Sequence, residues 1–302
     1  MADSEAVRIN RLKKCCLGSA SLAGLLAFAP TAHADPEVYG GYSVGGLYSS
    51  DAARTVDEEL DGSAVLGRIY VGASFDAEGN ETRFEASSGY YAYFDRENRW
   101  TNRVEAEQII RLGKDFKIFV EAAGATNLIT LERRGTDQAG AGAGLEFEKG
   151  DHRVSVAGAL RRRWYEGGSA SSWAPRIEAA YRYQIGSWHS AQIEAASDWV
   201  NSDLERLNYG RLQLGGYYTR PLARRTRVRA GLVHRRWTWD ARLTPEGEER
   251  RERLWIPQIR LTHRLPDNMN IDLDYRHVIR TSNDERFDRS GNRVSLTFRN
   301  AF

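Results

Sequence analysis

Fourteen stretches of about 11–15 residues alternate apolar with polar side chains along this chain of 302 residues. A period of two is that of a β-strand with one apolar and one polar face. The predicted strands are 37–49, 63–75, 81–94, 102–113, 116–129, 138–148, 152–165, 173–185, 188–199, 206–219, 226–240, 252–265, 269–281 and 292–302. No segment has a helical periodicity long enough to compete with them, so we predict an all-β protein.

The connections between these strands alternate in length. Short ones such as "GKD" and "PDN" alternate with longer polar ones such as "SSDAARTVDEELDG" and "ARLTPEGEERRER". This alternation predicts an up-and-down antiparallel meander, with its short turns at one end and its longer loops at the other. We refer to the two ends as the turn end and the loop end.

The two faces of the strands decide between a soluble sandwich and a membrane barrel. In 173–185, Tyr181 and Tyr183 share one face, whereas Arg176 and Glu178 share the other. A sandwich would bury the apolar face and expose the polar one. A membrane barrel turns the apolar face to lipid and the charged face to the lumen, and it closes so that no edge remains. The barrel accounts better than a sandwich for so many long strands. Its charged lumen also explains why 28% of the residues are charged.

Tryptophan placement favours the same choice. Only Trp188 lies beside a short turn; the tryptophans beside longer loops are Trp100, Trp164, Trp173, Trp199, Trp237, Trp239 and Trp255. Amphipathic rings favour a membrane interface, so these residues predict an aromatic girdle at the loop end. Candidates for a second belt at the turn end are Phe75, Phe147, Tyr183, Tyr218 and Phe302. We predict a transmembrane antiparallel β-barrel of about 14 strands without a plug domain.

The first 34 residues have the pattern of a secretory signal peptide. A basic segment, "RINRLKK", precedes the apolar "LGSASLAGLLAFAP", and the small residues Ala32 and Ala34 suit a cleavage site. Cys15 and Cys16 both lie in this segment, so the exported chain 35–302 would form the barrel without cysteine. Its expected location is the bacterial outer membrane.

The carboxyl-terminal segment carries a family resemblance. In "NRVSLTFRNAF", the apolar residues Val294, Leu296, Phe298 and Phe302 alternate with polar ones. This tail resembles the last strand of bacterial outer-membrane β-barrel proteins, which is read by the barrel-assembly machinery. The resemblance implies that these four residues are an assembly signal, and that the partners are this machinery, periplasmic chaperones and outer-membrane lipid. The run "TSNDERFDRSGNRVSLTF" also resembles the barrels of surface lipoprotein assembly modifiers and related porins.

The inward positions of the predicted strands are rich in charge. Strands three to nine mix both signs, whereas strands ten to fourteen carry mostly arginine. The predicted lumen-lining residues are Arg211, Arg229, Arg235, Arg260, Arg276, Arg280, Arg293, Glu121, Glu178 and Glu194. Arginine suits bidentate recognition of carboxylate, phosphate or sulfate. We therefore predict a passive, porin-like channel for small anionic solutes or acidic saccharides.

Three alternatives remain open at this stage. The charges could form an Arg/Glu ladder that hydrates and stiffens the wall, or the barrel could belong to a surface export or assembly system. An outer-membrane enzyme is the third, but the histidines fall near short turns or on outward faces, and no Ser/His/acid set converges. We predict no catalytic residue, metal ligand or cofactor, and the net charge of +2 gives no reason to expect nucleic acid. We expect the loops, at about fourteen residues or fewer, to be too short for a large infolded constriction.

Overall fold

The computed structural model describes residues 36–50, 62–77, 79–94, 96–168, 170–187 and 189–302. Fourteen strands form one closed barrel in which each strand pairs with the next. The last strand pairs with the first, and every pairing is antiparallel. The predicted fold is thereby confirmed, and no plug domain is present among the described residues. The predicted signal peptide, with Ala32 and Ala34, and Trp188 lie outside the described residues.

The strands follow the predicted order closely. They are β1 (Glu37–Ser49), β2 (Ala64–Ala77), β3 (Asn80–Tyr93), β4 (Arg99–Leu112), β5 (Phe116–Ile129), β6 (Arg134–Lys149), β7 (His152–Trp164), β8 (Ser171–Gly186), β9 (His189–Ser202), β10 (Tyr209–Ala223), β11 (Thr226–Leu243), β12 (Glu249–Arg264), β13 (Met269–Ser282) and β14 (Arg289–Ala301). Short 3₁₀ turns at Glu205–Leu207 and Glu285–Phe287 precede β10 and β14. In the described part of the chain, no helix is long and apolar enough to cross a membrane.

Differences from the predicted bounds concentrate at the loop end. β6 begins at Arg134 rather than 138, β12 begins at Glu249 rather than 252, and β11 continues to Leu243 rather than 240. Beyond the apolar band both faces of a strand meet water, so the alternation that marks a strand disappears there. The hairpins therefore extend further than their apolar pattern indicates.

Apolar side chains cover the outside of the barrel. Ile69 on β2, Ile193 on β9 and Leu296 on β14 are 64%, 63% and 54% exposed, although each lies within a regular strand. Their neighbours along each strand point inwards and include most of the charged residues. Apolar outside and charged inside is the arrangement expected of a sheet surrounded by lipid.

The aromatic girdle at the loop end is only partly as predicted. Trp100, Trp173 and Trp199 are 45–55% exposed on the outer face, and Trp255 is 44% exposed. The prediction was wrong for two tryptophans: Trp237 and Trp239 are 1% and 2% exposed and belong to a buried cluster rather than to the girdle. On β11 they share the alternation of the inward arginines, so the rings point into the barrel.

The seam between β1 and β14 closes the barrel. Their paired residues run from Gly41 with Ala301 to Ser49 with Arg293. At the turn end, the backbone N–H of Phe302 donates to the carbonyl of Gly40, and that of Gly40 donates to Phe302, both at 2.9 Å. The Phe302 ring itself is 78% exposed, so it contributes to the outer surface rather than to the interior.

We expect the ring of Phe302, rather than its backbone, to govern assembly. Phe302→Ala retains both backbone hydrogen bonds to Gly40 and removes only an exposed ring, so its folding in detergent should equal that of the wild type. In cells, the variant should yield much less heat-modifiable, membrane-inserted barrel. Normal levels of inserted Phe302→Ala barrel would show that the ring is not an assembly signal.

The loop end should face the cell exterior. Pro245 lies in the exposed turn between β11 and β12, and Asn268 lies in the turn between β12 and β13, where Asp267 and Asn268 adopt positive φ values of 56° and 58°. Asn and Asp tolerate this conformation, as a tight turn requires. A cysteine at Pro245 should react with an impermeant maleimide in intact cells, whereas one at Asn268 should react only after lysis. The reverse pattern would invert the orientation.

Candidate functional site

One cavity of the lumen lies against β9 to β13. Its volume is about 270 Å³. The charged residues that line it are Arg229, Arg235, Arg260, Arg276, Glu194 and Asp274. Five of these six were predicted to line the lumen, and Asp274 shares the alternation of Arg276 on β13. The structure therefore brings residues from five strands to one chamber.

A second cavity of about 170 Å³ adjoins the first on the side of the turn end. The two share Arg229 and Arg260, and the second adds Arg182, Arg227 and Arg299. Among the described residues, seven arginines and three acidic residues line the two cavities together. We call this continuous region the basic chamber. Its net charge is positive before any solute enters.

Some arginines of the basic chamber are neutralised by aspartates. The Nε atoms of Arg260 and Arg276 donate to the two carboxylate oxygens of Asp274 at 2.9 and 2.8 Å. Asp272 accepts a hydrogen bond from Arg299 and one of 2.6 Å from Thr262. These aspartates fix the guanidinium planes in place, but one carboxylate serves both Arg260 and Arg276, so it balances only half of their charge.

Three other arginines form no ion pair with a carboxylate in the described part of the chain, and their hydrogen-bond or stacking partners are neutral. Arg235 donates to the Gln213 side chain at 2.7 Å, and Arg182 donates to the Gln184 side chain at 2.8 Å. Arg229 lies over the ring of Tyr217, with its guanidinium carbon 3.9 Å from the ring centre. Stacking and amide contacts orient a guanidinium without cancelling its charge. These three side chains leave positive charge available to a bound anion.

The position of Tyr217 depends on a glycine across the strand pair. Gly231 lies directly opposite Tyr217 in the register of β10 and β11. A Cβ atom at Gly231 would collide with the Tyr217 ring. The ring can therefore lie flat across β11, where its hydroxyl donates to Glu194 at 2.7 Å and its face receives Arg229. Glycine opposite an aromatic ring is a known device of sheet packing.

Arg211, although predicted to line the lumen, belongs to a buried ionic cluster. Its Nε and Nη2 atoms donate to one oxygen of Asp198 at 3.0 and 2.9 Å. Arg176 approaches the same carboxylate at 3.4 Å, Arg161 also bonds to it, and Asp198 is 1% exposed. The cluster joins β7, β8, β9 and β10. Its role is to hold the wall together rather than to face a solute.

The remaining predicted lumen residues are spread around the wall. Glu178 on β8 accepts a hydrogen bond of 2.9 Å from Arg176, and Glu121 on β5 lies close to Gly142 on β6. Arg293 on β14 is 5% exposed and lies opposite Arg276 in the register. None of these three carries a charge into the two cavities described above.

An apolar layer fills part of the lumen between the basic chamber and the loop end. Its largest members, Trp237, Trp239 and Leu254, are at most 2% exposed. The other members are Ala174, Val200, Tyr209, Val233, Ile256 and Val278. Sequence reasoning missed this layer because it took the apolar face of each strand to be the outer one. The available signal was in β11 and β12, where Trp237, Leu254 and Ile256 make the inward face apolar as well.

The short tip between β5 and β6 folds onto this apolar layer. It spans residues 130–133, and Leu131 packs against the layer. Next to it, Glu132 accepts a hydrogen bond of 2.5 Å from Arg163 on β7, and both side chains are at most 2% exposed. A four-residue tip therefore reaches the interior, although it is far shorter than a large infolded constriction.

Another buried ionic cluster joins β12 and β13. Arg280, another predicted lumen residue, donates to Glu252 at 2.5 Å, and Arg250 lies 2.9 Å from the same carboxylate. Beside the β5–β6 tip, burial and the nearby Glu132 raise the pKa of Tyr165 to about 12. Its hydroxyl therefore keeps its proton and shares a hydrogen bond of 2.8 Å with Ser172. Polar and apolar contacts together hold this end of the lumen in shape.

Histidines and potential metal ligands do not converge on the lumen. His234 packs on Trp255 with ring centres 4.3 Å apart, and His277 shares a hydrogen bond of 2.8 Å with Asn292. Both histidines lie on the outer face of their strands. Over the ranges that the structure describes, no three His, Cys, Asp or Glu residues are grouped so that they could hold a metal ion.

Comparison with known proteins identifies the fold. No protein-family model matches the chain, and no curated protein matches it either. Among solved structures, it is similar to an anion-selective porin from Comamonas acidovorans, with 9% identity and a TM-score of 0.56 over 89% of this chain and 100% of that one. It is also similar to the outer-membrane channel DcaP of Acinetobacter baumannii, with 12% identity and a TM-score of 0.53 over 91% and 99%.

Two further solved structures show the same likeness. One is a loop-deletion mutant of OmpT, an outer-membrane protein of Vibrio cholerae, with 12% identity and a TM-score of 0.52 over 90% of this chain and 100% of that one. The other is a bacterial polysaccharide outer-membrane secretin, with 11% identity and a TM-score of 0.55 over 90% and 99%. At such low identity the likeness concerns the fold alone, and that fold is the closed barrel of bacterial outer-membrane proteins.

Proposed function

We propose that this barrel lies in the bacterial outer membrane and acts as a passive channel for small anionic solutes, acidic saccharides among them. The observation that carries the proposal is the set of three cavity arginines, Arg182, Arg229 and Arg235, whose partners are neutral. A carboxylate, phosphate or sulfate entering the chamber would complete their hydrogen bonding. Each guanidinium offers a planar pair of N–H donors that matches such a group.

The surroundings of the chamber strengthen its field. Protein walls and the lipid beyond them have a low dielectric constant, so they concentrate field lines in the water-filled space. Guanidinium groups keep their charge at any physiological pH, so the preference for anions would not depend on titration. Added salt would weaken it, because the Debye length is about 8 Å at physiological ionic strength.

The similar structures support this proposal in general terms. One of them is an anion-selective porin and another is an outer-membrane channel. Neither likeness carries a residue-by-residue correspondence, so the argument for anions depends on the arginines of this chain.

We expect Arg182→Gln/Arg229→Gln/Arg235→Gln to shift the reversal potential of the open channel towards cations. The triple variant removes three positive charges that form no ion pair with a carboxylate of the described chain. The matched control is Arg260→Gln/Asp274→Asn, which removes one charge of each sign from the same chamber and should produce a much smaller shift. Reversal potentials in a planar bilayer under a salt gradient measure both. A conducting triple variant with the reversal potential of the wild type would show that these arginines do not set ion selectivity and have only a structural role.

We also expect the β5–β6 tip to limit conductance. Leu131→Ala/Glu132→Ala removes the apolar contact and breaks the buried pair with Arg163, a loss of about 3–5 kcal/mol for a pair of this kind. The tip should then leave the apolar layer, and single-channel conductance should rise while the barrel stays heat-modifiable. Glu246→Ala, in the exposed turn between β11 and β12, is the control. An unchanged conductance in the double variant would show that the tip does not narrow the path.

A role in surface export or assembly is the second candidate. It is favoured by the likeness to a polysaccharide outer-membrane secretin and by the apolar layer that fills part of the lumen at the loop end. The same arginines would then contact an acidic polymer rather than a small solute. Planar-bilayer recording separates the two: steady conductance of the purified wild type favours the channel, whereas silence that persists in the Leu131→Ala/Glu132→Ala variant favours export or assembly.

A further inference from the structure

Three arginines of the loop end lie on the outer, lipid-facing side of the barrel. Arg236 on β11 and Arg253 on β12 are direct partners in the register, and both are exposed. They share the alternation of Trp255, which is 44% exposed on the outer face. Arg251, two residues further along β12, is also exposed and lies opposite Thr238. We call these three residues the outer arginine row.

The outer arginine row lies at the height of the aromatic girdle. Two residues along each strand from the Arg236–Arg253 pair, His234 lies opposite Trp255 and packs against its ring. Further towards the turn end, Leu232 and Ile259 present apolar surface and are 45% and 46% exposed. Indole rings mark the boundary between hydrocarbon and lipid headgroups. The guanidinium groups therefore lie where headgroups begin.

No group of the described chain neutralises this row. Arg236, Arg251 and Arg253 make no side-chain hydrogen bond or ion pair to any described residue, in contrast to most arginines of the lumen. Like charges directly opposite each other destabilise a strand pair. Arginine on the lipid face of a barrel is also costly when it lies towards the midplane. Both costs disappear if an anion from outside the chain lies between the two guanidinium groups.

We propose that the outer arginine row binds the phosphate of a phosphorylated lipid headgroup in the surrounding leaflet. Arg236 and Arg253 would share the phosphate oxygens, and Arg251 would contact the headgroup on its outer side. The acyl chains would then lie along Leu232 and Ile259. A lipid supplies both the charge and the apolar contact, whereas free phosphate supplies only the charge. This inference depends on the proposed membrane location, with the loop end outwards, and not on conduction.

The test is native mass spectrometry of the purified barrel in detergent with diphosphoryl lipid A. Arg236→Gln/Arg253→Gln should lower the affinity for diphosphoryl lipid A by about tenfold or more. Each lost hydrogen bond to a charged group alone corresponds to roughly a ten- to a hundredfold change in affinity. Arg220→Gln/Arg224→Gln is the matched control: it removes two exposed arginines at the turn end and should leave the affinity unchanged. Equal affinity of the Arg236→Gln/Arg253→Gln variant and the wild type would overturn the proposal.

Two further arms identify the ligand without relying on a variant. The wild type should bind dephosphorylated lipid A about tenfold or more weakly than the diphosphoryl form, as expected when charge-assisted hydrogen bonds are lost; equal binding would mean that only the acyl chains are recognised, and would overturn the proposal. Inorganic phosphate at the same concentration should not displace diphosphoryl lipid A. Displacement would identify a general anion site instead of a lipid site. A barrel that is silent in the bilayer but selects phosphorylated lipid would reject the channel and retain this inference.

Discussion

Backbone hydrogen bonding in a medium without water is the constraint on which the rest of this structure depends. An unpaired N–H or carbonyl group in hydrocarbon costs several kcal/mol of free energy, on the order of the cost of transferring an amide group from water to an alkane. Each of the fourteen strands is therefore paired on both sides, and β14 closes against β1. Closure creates an inside and an outside. The alternation of side chains along each strand then places apolar residues on the outside and charged residues on the inside.

Inside this cylinder, charge is distributed unevenly. Buried carboxylates such as Asp198 and Glu252 each hold two or more arginines and tie neighbouring strands together. Such clusters are structural, because a buried charge without a partner would be far more costly than the pair. The cavities behave differently: they contain Arg229 and Arg235, which are held by a ring and an amide. The arginines of the buried clusters and those of the cavities thus differ in their partners and not in their residue type.

The sequence predicted the barrel well because its signal is repeated fourteen times and needs only the period of two. It predicted inward arginines from the same alternation, but it could not separate Arg211, which is hydrogen-bonded to Asp198, from Arg229, which stacks on Tyr217, since these partners come from other strands. Trp237 was misplaced because its proximity to a loop was weighed above its position in the alternation. The contacts of Leu131 and Glu132 with the interior could not be predicted from the sequence either, because a four-residue tip is too short to show a periodicity.

The order of the lumen contents has an electrical consequence. In the proposed channel, an anion that starts from the turn end would meet the basic chamber first and the apolar layer of Trp237, Trp239 and Leu254 afterwards. One that starts from the loop end meets the low-dielectric layer before any attractive charge. The free-energy profile along the axis is therefore asymmetric, and a transmembrane voltage tilts it differently in its two directions. A conducting barrel of this design would rectify, carrying more anion current under one polarity than under the other.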